Sequence, residues 1–300
     1  MASNGSGTGN LVRVRGKTAT LPPRPAPSGS PGVSDPGQAR LRAESLTVGY
    51  GDRIILPDIS LAVPDGRITV ILGANACGKS TLLKALARLL RPRSGVVSLD
   101  GRTLSSIHPR QLARMLGLLP QSPIVPEGIT VGELVSRGRH PHRRMLRGAG
   151  LRDEEAVRGA MEATGVLALS ERCVDALSGG QRQRVWIAMA LAQETELLLL
   201  DEPTTFLDIA HQVEILDLLT DLNRTRGTTI VMVLHDLNLS ARYADHIVAL
   251  QGGRVLAQGK PAEVVTEAVV RSVYGLECRV VPDPVSGTPL VVPVGRHHAG

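Results

Sequence analysis

Residues 73–80 read G-A-N-A-C-G-K-S and match the pattern G-x-x-x-x-G-K-[ST] of phosphate-binding loops. An apolar run precedes the match and a helix-like pattern follows it, which is the setting that such a loop requires. The small residues Gly73, Asn75 and Gly78 let backbone N–H groups approach phosphate oxygens. The helix that follows turns its positive end towards the same place. The segment therefore predicts a site for the phosphates of a nucleotide.

Three side chains at the start of that helix add charge and oxygen ligands. Lys79 can supply a positive charge to the β- and γ-phosphates, and Ser80 can hold Mg²⁺. Thr81 lies in the same first turn and completes the set of residues that we expect at the phosphates. These residue types predict a nucleotide with β- and γ-phosphates and Mg²⁺ as the bound species.

A second cluster follows the apolar run L-L-L-L-D-E at 197–202. A buried strand that ends in two carboxylates can place Asp201 beside Mg²⁺ and Glu202 beside the water that attacks the γ-phosphate. An apolar strand followed by an acidic turn is common in proteins. The functional interpretation therefore depends on the phosphate loop that precedes it in the chain.

The segment L-S-G-G-Q at 177–181 opens another helix-like pattern. Ser178 can cap the helix, and Gly179, Gly180 and Gln181 can present backbone N–H groups to an anion. The alternative is an ordinary helix cap after a glycine-rich loop. Lying between two nucleotide motifs, the segment resembles the signature of ATP-binding-cassette (ABC) proteins.

The resemblance to ABC ATPases covers residues 43 to about 296 and implies roles for four more residues. It implies that Tyr50 stacks on adenine and that Gln121 senses Mg²⁺ and the γ-phosphate. It places Asp208 in the loop that crosses between two subunits, and it makes His235 the switch residue that holds the γ-phosphate. The alternatives are a core tyrosine, a surface glutamine, a helix cap and a structural histidine. Their order and spacing favour the functional roles.

The same resemblance implies an assembly and a mechanism. Two copies pack head to tail, and each ATP lies between the phosphate loop of one copy and residues 178–180 of the other. ATP closes the homodimer and hydrolysis reopens it, on separate integral-membrane permease subunits that act with a substrate-binding protein. The chain is then expected to lie peripherally at the cytoplasmic face of the cell membrane.

Three segments resemble, more narrowly, the ATPases of iron–siderophore, haem and cobalamin importers. They are V-S-R-G-R-H-P-H at 135–142, T-T-F-L-D-I-A-H-Q at 204–212, and the C-terminal stretch 274–294. Together they favour ferric siderophore import, with a haem or cobalamin importer or an exporter as alternatives. We expect the first segment to form a docking surface for the permease, with a solvated basic loop as the alternative.

The phosphate loop departs from the commonest family pattern at two positions. Ala74 stands where proline is frequent, and Ala76 stands where glycine is frequent. Because both alanines are small, we expect phosphate binding to survive.

The elements that must position these residues alternate along the chain. Strand-like runs lie at 67–72, 196–200, 229–234 and 246–250, and helix-like runs at 80–90, 178–192, 210–225 and 236–244. Strands joined by crossover helices predict an α/β fold with a covered parallel sheet. The resemblance adds an N-terminal antiparallel β subdomain, which begins with strands at 45–50 and 54–63. It also adds an inserted helical subdomain at about 123–177 and a C-terminal extension at about 265–300, all within one ABC ATPase domain at 41–300.

Composition limits the class of partner. Of 300 residues, 42% are hydrophobic and 21% charged, and no apolar run approaches the ~20 residues of a membrane-spanning helix. The formal charge is +6, but six basic residues and one acid lie between Met1 and Arg42. The body is therefore nearly neutral and lacks the broad basic face of a nucleic-acid binder. Residues 1–40, rich in Gly, Ser and Pro, are predicted to form a disordered basic tail.

Two other classes of ATPase fit less well. Translation-factor ATPases usually carry two cassettes in tandem, whereas one set of motifs is present here. DNA-repair and chromosome-structuring ATPases need a long heptad coiled coil between the phosphate loop and the signature. The interval from Lys79 to Leu177 is too short for one and lacks sustained heptads. We therefore expect no nucleic-acid partner.

Overall fold

The computed structural model of the chain describes residues 39–121, 123, 125–143 and 150–295. Within these ranges the strands are β1 (Ala39–Tyr50), β2 (Arg53–Pro64), β3 (Ile68–Gly73), β4 (Ser94–Leu99), β5 (Arg102–Thr103), β6 (Leu116–Leu119), β7 (Leu197–Asp201), β8 (Thr229–Val233), β9 (His246–Gln251), β10 (Arg254–Gly259), β11 (Cys278–Pro282) and β12 (Pro289–Pro293). The α-helices are α1 (Lys79–Leu86), α2 (Pro109–Met115), α3 (Val131–Ser136), α4 (Leu151–Ala163), α5 (Gly179–Ala192), α6 (Ile209–Arg226), α7 (Leu237–Tyr243), α8 (Pro261–Val264) and α9 (Glu267–Tyr274).

The central sheet has six strands in the order β10-β9-β3-β8-β7-β6. Pairing is parallel from β9 to β6, and β10 adds an antiparallel edge. Every residue of β3, β7 and β8 is buried, as expected of strands whose two faces are both covered. The predicted parallel α/β core is confirmed.

A second, antiparallel sheet has the order β2-β1-β4-β5 and confirms the predicted N-terminal β subdomain. Its first strand begins at Ala39, two residues before the predicted domain boundary. The reason is Arg40, whose guanidinium group pairs with Asp100 in this region and with Glu196 beside the central sheet. The prediction of disorder is therefore wrong for residues 39 and 40, while residues 1–38 lie outside the described ranges.

Parallel pairing brings the chemistry-bearing segments to one edge of the central sheet. Strand β3 ends at Gly73, β7 ends at Asp201, and β8 ends two residues before His235. In the register, Ile71 and Asp201 both stand opposite Val233, so these strands finish side by side. Ligands of open α/β sheets bind at this carboxyl edge.

The stretch at 123–177 is more regular than its polar pattern predicts. It contains α3 and α4, and both pack against α5. A capping box fixes the start of α3, since the hydroxyl of Thr130 accepts a bond from the backbone of Glu133 and the carboxylate of Glu133 accepts one from the backbone of Thr130. The limits of the helical subdomain, and the division of the chain into domains, stay predictions.

Among the helices of the described residues, none combines the length and apolar character that crossing a membrane requires.

Candidate nucleotide-binding site

A cleft of about 540 Å³ opens at the carboxyl edge of the central sheet. Its walls bring together segments that are far apart in sequence: the phosphate loop, the end of β7 and the segments that follow β6 and β8. The lining residues are Arg53, Ile55, Asn75, Ala76, Cys77, Gly78, Lys79, Ser80, Thr81, Gln121, Glu202 and His235. The cleft therefore brings together the three predicted catalytic residues and the predicted phosphate-binding residues from Asn75 to Thr81, while Gly73 and Asp201 are not among its lining residues.

The phosphate loop folds around the ammonium group of Lys79. This side chain is 5% exposed and donates hydrogen bonds to the carbonyl oxygens of Gly73 and Ala74 at 2.8 and 2.9 Å. Gly78, at φ 104°, sits just before α1, where a Cβ atom would lie 2.6 Å from Leu56 Cδ2. Glycine is therefore required there both for the backbone conformation and for the space.

Ser80 and Asp201 meet beside the loop. The hydroxyl of Ser80 donates to Asp201 Oδ1 at 3.0 Å. Burial raises the pKa of the Asp201 carboxyl, and this outweighs the opposite effect of the Ser80 hydrogen bond. A hydroxyl and a carboxylate oxygen at the phosphate end of a nucleotide cleft are the hard donors that Mg²⁺ prefers, so the pair fits that ion.

Glu202 lies at the centre of a small polar network. His235 Nε2 is 2.7 Å from Glu202 Oε1, and the hydroxyl of Thr205 donates to Glu202 Oε2 at 3.1 Å. Burial raises the pKa of the Glu202 carboxyl, but hydrogen bonds from His235, Thr205 and Gln121 together lower it below its ordinary value. The group is therefore an ionised carboxylate at neutral pH, in contact with two other predicted catalytic residues.

The signature residues lie outside this cleft. Ser178 is exposed and caps α5, with its hydroxyl accepting from Gln181 N at 3.3 Å and its own N–H donating to Gln181 Oε1 at 3.2 Å. Gly179 and Gly180 begin that helix beside the loop at 206–207. The structure thus shows the helix cap that was the alternative interpretation, on a surface that a second molecule can reach.

Asp208 and Tyr50 also lie apart from the lining residues. Asp208 is exposed and caps α6, accepting from His211 N at 2.9 Å and lying 2.7 Å from His211 Nδ1. Tyr50 is 49% exposed, which excludes the core alternative. It stands opposite Arg53 in the β1–β2 register, and Arg53 does line the cleft.

Arg53, Ile55 and Thr205 are site residues that the sequence interpretation missed. The cue for Arg53 was present, because a basic residue follows Tyr50 across a Gly-Asp turn and so returns to the same end of the sheet. No comparable cue marked Thr205, since its contact with Glu202 depends on the turn after β7.

The basic segment at 135–142 divides between two environments. Arg137 and His140 are exposed, whereas Arg139 is 5% exposed and lies 2.9 Å from both Asp153 Oδ1 and Glu194 Oε2. For Arg139 the alternative of a solvated loop is therefore wrong, and its charge is not available for the expected docking surface, because Asp153 and Glu194 satisfy it inside the protein.

The model of the ABC transporter family matches residues 56–205, which is half of the chain. Among curated relatives, the probable siderophore transport system ATP-binding protein YusV of Bacillus subtilis (strain 168) is 52% identical over 87% of this chain and 94% of its own length. The ferric enterobactin transport ATP-binding protein FepC of Escherichia coli (strain K12) is 53% identical over 86% and 95%. The hemin import ATP-binding protein HmuV of Rhodococcus jostii (strain RHA1) is 41% identical over 92% and 91%.

A solved structure agrees with these relatives. The dimeric structure of MJ0796, a bacterial ABC transporter cassette, is 29% identical and superposes with a TM-score of 0.66 over 73% of this chain and 98% of that one. The matches confirm the resemblance to ATP-binding subunits of siderophore transport systems that the motifs indicated. With the phosphate loop, the carboxylate pair and the signature all in place, the chain belongs to the ABC transporter family.

Proposed function

We propose that this chain is the ATP-hydrolysing subunit of an importer that takes up ferric siderophores through a separate membrane permease. The proposal of ferric siderophores as the cargo rests on one observation. More than half of the aligned residues, over most of the chain, are identical to those of ATP-binding proteins named for siderophore and ferric enterobactin transport. Hydrolysis itself is supported by the cleft, which holds an ionised carboxylate next to a phosphate loop.

In this proposal the residues of the cleft divide three tasks. Lys79 and the backbone of the loop bind the phosphates, and Glu202 accepts the proton of the attacking water. His235 and Gln121, which both hydrogen-bond to Glu202, orient that carboxylate and the γ-phosphate. Catalysis then consists mainly of positioning and electrostatic stabilisation.

Mg²⁺ fits the oxygen donors of Ser80 and Asp201, with Gln121 as a further ligand. When bound, the ion supplies positive charge to the β- and γ-phosphate oxygens. Ser80 and Asp201 already lie within hydrogen-bond distance, so little rearrangement is needed to present both oxygens to one ion.

A second copy of the chain would complete each ATP site. Ser178 and Asp208 are exposed and lie outside the cleft of their own chain, which supports a head-to-tail homodimer in which they face the partner's ATP. Phe206 and Ile209, 79% and 75% exposed, flank Asp208 and offer apolar surface for the same contact.

The permease would dock on a groove of about 800 Å³ beside α3. Arg137 and His140 line this groove and are exposed, together with the acidic side chains of Glu127 and Glu133. The mixture of charges suits a polar segment of a membrane protein. Docked there, the chain would lie at the cytoplasmic face of the membrane, and a substrate-binding protein would deliver cargo on the other side.

The proposal that the cargo is a ferric siderophore can be tested by uptake measurements. A deletion strain is complemented with the wild-type chain or with Glu202→Gln, and uptake of labelled ferric siderophores, haem and cobalamin is measured. We expect siderophore uptake to be lost on deletion and restored only by the wild type. Loss of haem uptake alone would favour the haem alternative, which the 41% identity to a hemin import protein supports. Unchanged siderophore uptake in the deletion strain would refute the proposal.

The docking surface needs its own test, in which Arg139 is left intact because it is buried. Arg137→Glu reverses an exposed charge in the groove, and Arg152→Glu, exposed in the first turn of α4, is the matched control. We expect Arg137→Glu to reduce both the uptake of cargo and the amount of chain that co-purifies with the permease. The ATP affinity of the isolated chain should not change. Wild-type assembly in this variant would show that the groove is not an essential contact.

A further inference from the structure

The C-terminal helix α9 reaches the phosphate loop. Its last residue is Tyr274, and the left-handed Gly275, at φ 65°, ends the helix at that point. The hydroxyl of Tyr274 accepts a hydrogen bond from the backbone N–H of Gly73 at 3.1 Å. A residue at the far end of the chain therefore contacts the first residue of the loop.

The surroundings of Gly73 leave no room for a side chain. A Cβ atom there would lie 2.5 Å from Cys77 Sγ and 2.7 Å from the carbonyl oxygen of Leu250. Its N–H group is held by Tyr274, and its carbonyl oxygen accepts from Lys79 Nζ at 2.8 Å. Gly73 is therefore one of two loop residues, with Ala74, whose carbonyl oxygens hold the ammonium group of Lys79.

Helix α9, which carries Tyr274, and the hairpin that follows it are in turn held by contacts that do not involve the loop. Ser272 and Gln251, at the end of β9, exchange two hydrogen bonds of 2.6 and 3.1 Å. The hairpin after α9 is tied to α7, where the amide of Asn238 bonds both polar groups of Val291.

An ion pair strengthens the attachment of the hairpin to α7. The guanidinium group of Arg242 pairs with Asp283, whose side chain is 5% exposed. Since α7 begins two residues after His235, the extension is fixed to the segment that carries the predicted switch histidine as well as to the loop.

We propose that Tyr274 is a positioning residue for ATP binding, because its hydroxyl fixes the Gly73 peptide and through it the phosphate loop. Tyr274 does not line the cleft and so acts through the loop rather than on the nucleotide. The inference rests on the proposal that ATP binds in this cleft.

The chemistry of the hydroxyl suits this task. Burial raises the pKa of Tyr274 to about 12, so the group stays neutral and can accept from Gly73 throughout the physiological range. Without it, a buried N–H group loses its partner and the loop samples more conformations. Ordering of the loop then becomes a cost of ATP binding, which lowers affinity.

The test compares two tyrosine-to-phenylalanine variants of the full chain. Tyr274→Phe removes the hydroxyl and keeps the ring. Tyr243→Phe is the matched control, since its hydroxyl donates to Asp217 Oδ1 at 2.8 Å, its pKa is also raised to about 12, and it does not line the cleft. Each variant loses one hydrogen bond, and Tyr274→Phe should lose more thermal stability, because its bond is part-buried whereas that of Tyr243 is exposed.

The discriminating measurement is the Kd for a fluorescent ATP analogue, together with KM and kcat in the permease complex. We expect Tyr274→Phe to raise Kd and KM about fivefold, with kcat at saturating ATP nearly unchanged, and Tyr243→Phe to leave all three at wild-type values. Wild-type Kd in Tyr274→Phe, or an equal rise in Tyr243→Phe, overturns the inference. Normal binding by Lys79→Ala would instead overturn the phosphate-loop assignment, and the inference with it.

Discussion

The cleft and the signature surface are built in different ways, although both are expected to meet ATP. The cleft residues Lys79 and Glu202 are 5% and 9% exposed, and they lie at the start of α1 and directly after β7. Ser178 and Asp208 are exposed and are held by bonds at helix N-termini. The cleft thus forms within one chain, whereas the role proposed for the signature surface requires a second copy of the chain.

The cleft residues also differ from the two caps, Ser178 and Asp208, in backbone strain. Ala76 and Glu202, both in the cleft, have φ angles of 62° and 55°, a region that residues with a side chain rarely adopt. Such conformations persist where the surrounding structure holds them, and they concentrate at functional sites. The caps Ser178 and Asp208, in contrast, have ordinary extended backbone angles, although Phe206 beside them is left-handed at φ 66°.

The sharpest way to break this comparison is to disable each region in turn. Lys79→Ala removes the phosphate charge and should abolish ATP binding and hydrolysis. Gly179→Asp should abolish hydrolysis while the chain still folds, because an acidic residue suits a helix N-terminus and the new Cβ would lie 3.7 Å from Phe206 Cβ, an ordinary contact. Its carboxylate would repel the partner's ATP.

Mixing the two variants separates a shared site from a site within one chain. In a head-to-tail dimer of one Lys79→Ala chain and one Gly179→Asp chain, both defects fall in one site and the other site is intact. We expect part of the ATPase activity to return in the mixed permease complex. No recovery would contradict a site shared between copies.

A smaller effect concerns turnover alone. Glu202→Gln keeps the shape of the side chain but removes the base, so hydrolysis should fall at least about a hundredfold while ATP binding survives. The ATP-bound dimer should then accumulate on a sizing column. Glu214→Gln, on the exposed face of α6, is the control for loss of a carboxylate. Hydrolysis within about tenfold of wild type would remove Glu202 as the main base.

Structural features that are set by residues close together in the chain could be predicted from the sequence, and the cleft contains several of them. The phosphate loop is a continuous motif, and its strand and helix follow from local pattern. Helix α1 nevertheless ends at Leu86 rather than at 90, because Arg88 adopts a left-handed conformation with φ 59°. Strand β5, only Arg102–Thr103, is too short to show a period.

Features that depend on distant contacts could not be predicted. Arg137 and Arg139 look alike in the sequence, and only the folded chain places Asp153 and Glu194 around the second. In the same way, Tyr274 was part of a family-like stretch, but its contact with Gly73 joins residues 201 positions apart. The role proposed for the signature surface depends on contacts with a second chain, and such contacts are harder still to predict from one sequence.

The smallest predicted effect sharpens the contrast in strain. Ala76 occupies a left-handed conformation, which costs an alanine about 1–2 kcal/mol. Glycine would avoid this cost, but its more flexible unfolded chain would offset roughly 0.5–1 kcal/mol of the stability gained. Ala76→Gly should therefore raise the free energy of unfolding by up to about 1 kcal/mol in urea titrations. Ala74→Gly, where φ is not positive, should lower it. Opposite signs at two alanines in one loop would locate the strain at residue 76, and a loss of stability in both variants would show that Ala76 is not strained.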